Sequence, residues 1–259
     1  LFKVEVNVES SAEKAASSLI YVGRPQSNRA LEKLIGSDWP DLTSQGLVLR
    51  KIEASTPTLL VGGGSPVAVL WAVYDLMERL GVRYLLNRDV YPSQEAWSGL
   101  PELNLVIEPN MRIRSWRLVN DLAHGPVSWS LAENFRFLKQ ITKMKYNRIH
   151  CSLWPAQPFV HYRFRGMEKP PGVLFFGHQF PIRRDMVGIE KISSMKTFTN
   201  PELLGVNSSE EVHRRAIGLV RGILDEAKKL GMETGLSIQP FQWPKEFMKV
   251  LPGSEEVDQ

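Results

Sequence analysis

The stretch from Thr58 to Tyr91, TLLVGGGSPVAVLWAVYDLMERLGVRYLLNRDVY, limits the fold more than any other part of this chain. A short apolar run, Leu59 to Val61, meets glycines at 62 to 64, and Ser65-Pro66 follows. Serine accepts hydrogen bonds from the free amides of a first helical turn, and proline lacks the amide that turn would leave unpaired, so the pair marks a helix start. Val69, Ala72, Val73, Leu76, Met77 and Leu80 recur at spacings of three, four and seven. That spacing predicts one buried face on a helix of about four turns, with Gly81 placed to close it. Val82-Arg83-Tyr84 then reads as a strand.

Three glycines after a strand invite comparison with phosphate-binding turns. A dinucleotide fingerprint starting at Gly62 needs glycine at position 67, where the chain has Val67, and the Gly-Lys-Ser/Thr of a P-loop is absent. The expectation is a tight turn and no nucleotide cofactor. Net charge is +4, with Lys and Arg interleaved among Asp and Glu, which gives no basic stripe for nucleic acid. Arg163, Arg165, Lys169 and Arg183-Arg184 form a short basic cluster in an irregular region, expected to be a solvated loop. The one cysteine, Cys151, excludes an internal disulfide. No apolar run approaches the roughly 20 residues of a membrane span. The chain starts at Leu1 with no basic and apolar leader ahead of it, so a signal peptide has been removed or never existed.

Periodicity divides the chain in two. In the first region Phe2–Val8 and Ser18–Gly23 read as strands, 28 to 35 as a helix, Gly46–Ile52 and Thr58–Val61 as a hairpin, and Asn104–Ile107 as a closing strand. Glu108-Pro109-Asn110 is the expected linker. The order β-α-β-β-α-β predicts a two-layer α/β sandwich over residues 1–108. In the second region, 111–259, Arg114–Leu122 is strand-like, Ser130–Met144 is an amphipathic helix, and Tyr146–Leu153 is a strand. Irregular sequence follows from Trp154 to Asn207. Ser208 and Glu211 have capping-box spacing at the head of a helix reaching Leu230, and Met232–Ile238 is a further strand. Alternating strands and helices predict a parallel array.

The motifs Gly62 to Gly64, Ala72-Val73-Tyr74, Glu78-Arg79-Leu80-Gly81 and Val82-Arg83-Tyr84 resemble the small α/β domain that precedes the catalytic barrel in several carbohydrate-active enzymes. Family 20 β-hexosaminidases, α-glucuronidases and α-N-acetylglucosaminidases are among them. In the second region Lys145-Tyr146-Asn147-Arg148-Ile149-His150 resembles the Lys-x-Asn-x-x-His strand of the hexosaminidase barrel. Trp116-Arg117-Leu118-Val119-Asn120-Asp121 is similar to the first barrel strand, in a form closer to the glucuronidase-like families. After His150 the chain has Ser152, Leu153, Trp154 and Pro155 where the hexosaminidase pattern continues with a histidine and an acidic pair.

The resemblance implies a glycoside hydrolase acting on O-glycosidic bonds of poly- or oligosaccharides, as in bacterial polysaccharide degradation. It implies a TIM-type (β/α)₈ barrel after the accessory domain, a secreted or periplasmic location, and no cofactor; the sequence itself does not exclude the cytoplasm. A full barrel takes about 250 residues, so three strands do not close one, and the remaining strands are expected from the rest of a longer chain or from an oligomer. The catalytic carboxylates are not identifiable in this stretch. The alternative is a non-catalytic carbohydrate-binding or scaffold protein that keeps the accessory module.

Candidate substrate-binding residues lie at strand ends, where barrel enzymes place their sites. Arg117 and Asp121 supply donors and acceptors suited to sugar hydroxyls, although an ordinary ion pair accounts for the same two residues. His150 fits a ligand contact or a hydrogen-bonded core position. His124 is a loop histidine. Trp154 offers a face for a sugar ring or a plug for the barrel top. Gln239, Gln242 and Trp243 follow the third strand and suit a carbohydrate pocket, while Glu233 begins that strand, at the wrong end for catalysis. His161, His178 and His213 are too scattered in sequence for a zinc site, so no metal is expected.

Overall fold

The computed structural model describes residues 8, 17–93, 99–118, 129–153, 157–170, 183–185, 200–238 and 245–255. In chain order its elements are β1 (Leu19–Gly23), α1 (Arg29–Ile35), β2 (Leu47–Ile52), β3 (Thr58–Gly63), α2 (Pro66–Arg79), β4 (Arg83–Tyr84), β5 (Asp89–Val90) and β6 (Asn104–Ile107). There follow β7 (Ser115–Leu118), α3 (Leu131–Lys143), β8 (Arg148–Leu153), β9 (Arg163–Phe164), β10 (Met167–Glu168), α4 (Ser209–Lys229) and β11 (Glu233–Ile238). The fold is mixed α/β. It divides into one unit made of Leu1–Arg114 with Gln140–Tyr146, and a second made of Ser115–Lys139 with Asn147–Gln259.

The first unit is built on a four-stranded sheet in the order β1-β3-β2-β6, with β1 parallel to β3 and β2 antiparallel to both its neighbours. Leu47, Leu49, Leu59 and Val61 face Ala68, Trp71, Ala72 and Leu76 of α2. Val48 and Leu60 face the other way, onto Leu31 and Ile35 of α1, with Trp39 and Leu42 beside them. The helices therefore cover opposite faces, and the unit has three layers rather than the expected two. The cause is visible in β2 and β3: Leu47-Val48-Leu49 and Leu59-Leu60-Val61 are apolar without alternation and at most 3% exposed, so both sides of the sheet need cover.

The start of α2 is as the sequence predicts, with the Ser65 hydroxyl accepting from the Ala68 amide at 3.2 Å and Pro66 at the first helical position. Its buried face is displaced: Ala68, Trp71, Ala72 and Leu76 form the central line, while Val69, Val73 and Met77 are half-buried at its sides. Trp71 carries the largest apolar surface on the helix, and Ala68 is small enough to lie against β3 at Gly63.

The glycines at 62 to 64 have a packing explanation. A Cβ on Gly62 would lie 2.5 Å from the Trp39 ring, one on Gly63 would lie 2.5 Å from the Ala68 backbone, and one on Gly64 would lie 1.9 Å from the Thr43 carbonyl oxygen. The Gly64 amide donates to the Gly46 carbonyl at 2.9 Å, so it is engaged within the fold.

Arg83–Tyr84 forms a strand but pairs antiparallel with Asp89–Val90 in a separate ribbon. The Tyr84 ring meets Tyr74 of α2 edge-on at 5.5 Å, which gives the two aromatic motifs a shared packing role. Asp89 accepts two hydrogen bonds from Lys143 Nζ, at 2.7 and 2.9 Å, and one from Gln140 Nε2 at 3.0 Å. Burial acts to raise the Asp89 pKa, but these donors outweigh it and hold the carboxyl below its usual range. Lys145 Nζ bridges Asp75 and Glu78 at 3.0 and 2.7 Å. Glu108, in the expected linker, accepts from the Thr43 amide at 2.9 Å. The strand expected over Phe2–Val8 lies outside the described residues except for Val8, which is exposed and in no strand.

In the second unit β7, β8 and β11 form a parallel sheet in the order β11-β8-β7. Ile149, Cys151 and Leu118 are buried on one side. On that side Trp116 meets Phe137 of α3 edge-on at 5.3 Å. Gly222 of α4 lies so close to Leu131 of α3 that a Cβ would come within 2.7 Å of it, which places the two helices together. Both helices are capped by Ser-x-x-Glu. Ser208 Oγ accepts from the Glu211 amide at 3.2 Å, and Ser130 with Glu133 makes the reciprocal pair, Ser130 N to Glu133 Oε2 at 3.0 Å and Glu133 N to Ser130 Oγ at 3.3 Å. The expected irregular stretch contains the small β9-β10 hairpin and a 3₁₀ turn at Pro201–Leu203.

Candidate functional site

Side chains alternate across a strand with a period of two, so the register of β7, β8 and β11 fixes which residues share a face. Arg117 is paired with His150, His150 with Gly235, and Ser152 with Ser237. All five occupy the face opposite Ile149 and Cys151, the side away from the helices.

They are joined by hydrogen bonds. Arg117 Nε donates to Ser152 Oγ at 2.8 Å, the Ser152 and Ser237 hydroxyls are 3.2 Å apart, and His150 Nε2 lies 3.0 Å from Ser237 Oγ. Arg117 and Ser237 are exposed, His150 is half-buried and Ser152 is buried. Gly235 makes the arrangement possible: a Cβ there would lie 2.6 Å from His150 Nδ1. The carboxylate among the described residues of these strands is Glu233. It sits at the strand starts, where Arg148 Nε donates to it at 3.0 Å. Among the described residues of these strands, the charged side chain in the joined set is the Arg117 guanidinium.

Arg117 and His150 are thus adjacent and linked through two serines. Asp121, Trp154, Gln239 and Trp243, with His124 and Gln242, lie outside the described residues. Ser152, Ser237 and Gly235 do not stand out by residue type, yet the sequence carries their signal: in RIHCSL and ETGLSI the period of two puts 150 with 152, and 235 with 237. Cys151 points to the helix side, where burial pushes its thiol up to about 12 and removes it as a nucleophile at neutral pH.

A second polar cluster corrects the expectation of a solvated basic loop. Arg163 and Arg183 are exposed, but Lys169 is fully buried, with Nζ donating to the Gln157 carbonyl at 2.6 Å, and burial pushes its ammonium down to about 8. His213 is also buried, its ring nitrogens facing the carbonyls of Pro158 and Lys169 at 3.2 and 3.3 Å, and burial lowers its pKa. Its ring is 4.6 Å from that of His161, which pairs with Glu168 at 2.9 Å. His161 and His213 are therefore neighbours in space, while His178 lies outside the described residues. Among the described residues no group of three or more His, Cys, Asp or Glu could hold a metal ion, and no helix is long and apolar enough to cross a membrane.

No family model matches the chain, and no curated protein matches it. Among solved structures the chain is similar to a GH138 enzyme targeting pectin rhamnogalacturonan II, at 9% identity over 90% of this chain with a TM-score of 0.43. The chain spans 26% of that enzyme's length.

Proposed function

We propose that the protein is a glycoside hydrolase or part of one, acting on O-glycosidic bonds of poly- or oligosaccharides, with 1–108 an accessory α/β domain and 111–259 a segment of a (β/α)₈ barrel. The observation that carries this reading is the joined set Arg117, His150, Ser152 and Ser237 on the sheet face opposite the helices. A barrel wall requires helices on its outer side and leaves the inner face to the interior and the substrate. A sugar presents many hydroxyl groups, and an anchored guanidinium supplies directed donors to them. Asp121, Trp154, Gln239 and Trp243 follow directly on β7, β8 and β11 in sequence, and in this reading they complete the binding wall. The strands that close the barrel come from elsewhere in the whole protein or from a second copy. A secreted or periplasmic location goes with the same reading.

Glycoside hydrolysis needs a carboxylic acid to protonate the leaving oxygen and a second group to assist attack at the anomeric carbon. Glu233 is held by Arg148 at the far end of the strands, so the described residues are assigned to binding. That fact favours the second reading, a carbohydrate-binding protein without turnover. The test is Arg117→Ala in the full-length protein: kcat/KM on a glycan substrate falls by about tenfold or more, corresponding to about 1.4 kcal/mol, with the melting temperature unchanged. A fall in melting temperature with no selective kinetic effect would return Arg117 to a purely structural role. Saturable glycan binding with no hydrolysis selects the second reading.

A further inference from the structure

Arg117, His150 and the two serines form a chain whose proton directions can be worked out. The guanidinium Nε–H is always a donor, so Ser152 Oγ accepts it at 2.8 Å. At the other end, His150 Nε2 is 3.0 Å from Ser237 Oγ, and either atom can carry the proton between them. Gly235 decides which one does. His150 Nδ1 is pressed against Gly235 so closely that a Cβ would lie 2.6 Å away. An N–H at Nδ1 would point at this backbone with no acceptor among the described residues, and an unmatched donor in such a place is costly. The neutral ring therefore carries its proton on Nε2 and donates to Ser237. Ser237 then passes its own hydroxyl proton to Ser152 at 3.2 Å, and Ser152 receives from both sides.

We propose that His150, Ser237 and Ser152 are positioning residues: a relay that starts from His150 as an Nε2–H donor and holds Arg117 by its Nε, leaving the two terminal amino groups for a pair of acceptor oxygens on the ligand. Those amino groups have no partner among the described residues, and a guanidinium fixed through Nε presents them side by side. Adjacent hydroxyls of a sugar ring match that spacing. Only the identity of the ligand rests on the proposed function. The relay itself rests on the hydrogen bonds and on Gly235, which excludes any side chain that would push the ring away.

The experiment is NMR of the ¹⁵N-labelled 259-residue chain at about pH 8. The expected His150 signals are those of an unprotonated Nδ1 and a protonated Nε2, together with an Arg117 Nε–H peak protected from solvent exchange. Ser237→Ala should mix the two His150 tautomers and speed Arg117 Nε–H exchange by about tenfold, because its outer anchor is gone. Ser237→Thr, which restores the hydroxyl, should recover both signals, and Ser237 is exposed, so the variants keep the fold. A protonated Nδ1 in the unmodified chain overturns the relay. The expected tautomer with Arg117 exchange unchanged in Ser237→Ala overturns the positioning role. Neither readout involves a sugar, so failure of the glycosidase reading appears separately, in the kinetics of Arg117→Ala.

Discussion

Lys169 gives the sharpest thermodynamic expectation. Its side chain is fully buried and burial pushes its ammonium from the usual 10.5 down to about 8, with one hydrogen bond to the Gln157 carbonyl. At about 1.4 kcal/mol per pH unit, that drop corresponds to about 3 kcal/mol of penalty for keeping the ion in the fold at neutral pH. Between about 8 and 10.5 the unfolded chain binds a proton at this lysine and the folded chain does not, so stability rises with pH across that window. Below about 8 both states are charged and the penalty is constant. Urea unfolding of the unmodified chain and of Lys169→Met, each at about pH 7.5 and pH 10, isolates the effect. The unmodified chain should gain about 2 to 3 kcal/mol relative to the variant over that interval. Tyr84 and Tyr162, which burial pushes up to about 12, act in the opposite direction but equally in both proteins. Loss of the Nζ hydrogen bond in the variant shifts its stability at both pH values and leaves the difference intact. Identical pH dependence in the two proteins would refute the assignment of a buried ammonium.

Ser208→Ala removes the cap of α4 and should cost about 1 kcal/mol in urea unfolding, with an unchanged m-value; no loss would mean the Glu211 amide finds water as readily. Asp89→Asn should flatten the acid limb of stability. The Asp89 carboxyl is held below its usual 3.8, so its contribution is present above that value and is lost as pH falls through the lower folded value. Unfolding midpoints of the variant that fall as steeply as those of the unmodified chain between about pH 5 and 3 would place the effect elsewhere. A fragment of residues 1–108 should fold but melt below the first unit as it stands in the whole chain, because it lacks Lys143, Gln140 and Lys145, which hold Asp89, Asp75 and Glu78. Thermal melts followed by circular dichroism compare the two, and equal transitions would show these ion pairs to be idle.

Local chemistry is readable from sequence where neighbours in the chain decide the outcome. Ser65-Pro66 and Ser208 with Glu211 set helix starts within one turn, β2 and β3 follow from apolar runs bounded by turns, and β8 and β11 from short stretches placed between a helix and the next break in the pattern. The buried line of α2 differs from the periodic one because spacing alone does not weigh one indole against several valines. The third layer escapes a periodic reading because α1 contributes only Leu31 and Ile35 to the core, too short a stripe to show as a face, although the non-alternating Leu47-Val48-Leu49 already demands cover on both sides. Lys169 reads as solvated because the partners it meets, the Gln157 carbonyl at its Nζ and the His213 ring at its backbone carbonyl, are brought to it by no local pattern. At the site, Arg117 and His150 stand out as residue types, whereas Ser152, Ser237 and Gly235 acquire meaning only once three strands are set in register.

The three glycines at 62 to 64 also bear on how the chain folds. Their turn closes directly onto the Trp39 ring and the Thr43 carbonyl, segments that arrive from a separate stretch of sequence. What reads as a self-contained motif thus reaches its final geometry only after a distant part of the chain is in place. Contacts of that kind raise the entropic barrier to folding, since the intervening loop must be ordered before the contact gives any return. Substitutions at these glycines are therefore expected to act on the assembled core, with little effect on the helix content of isolated peptides that span the turn.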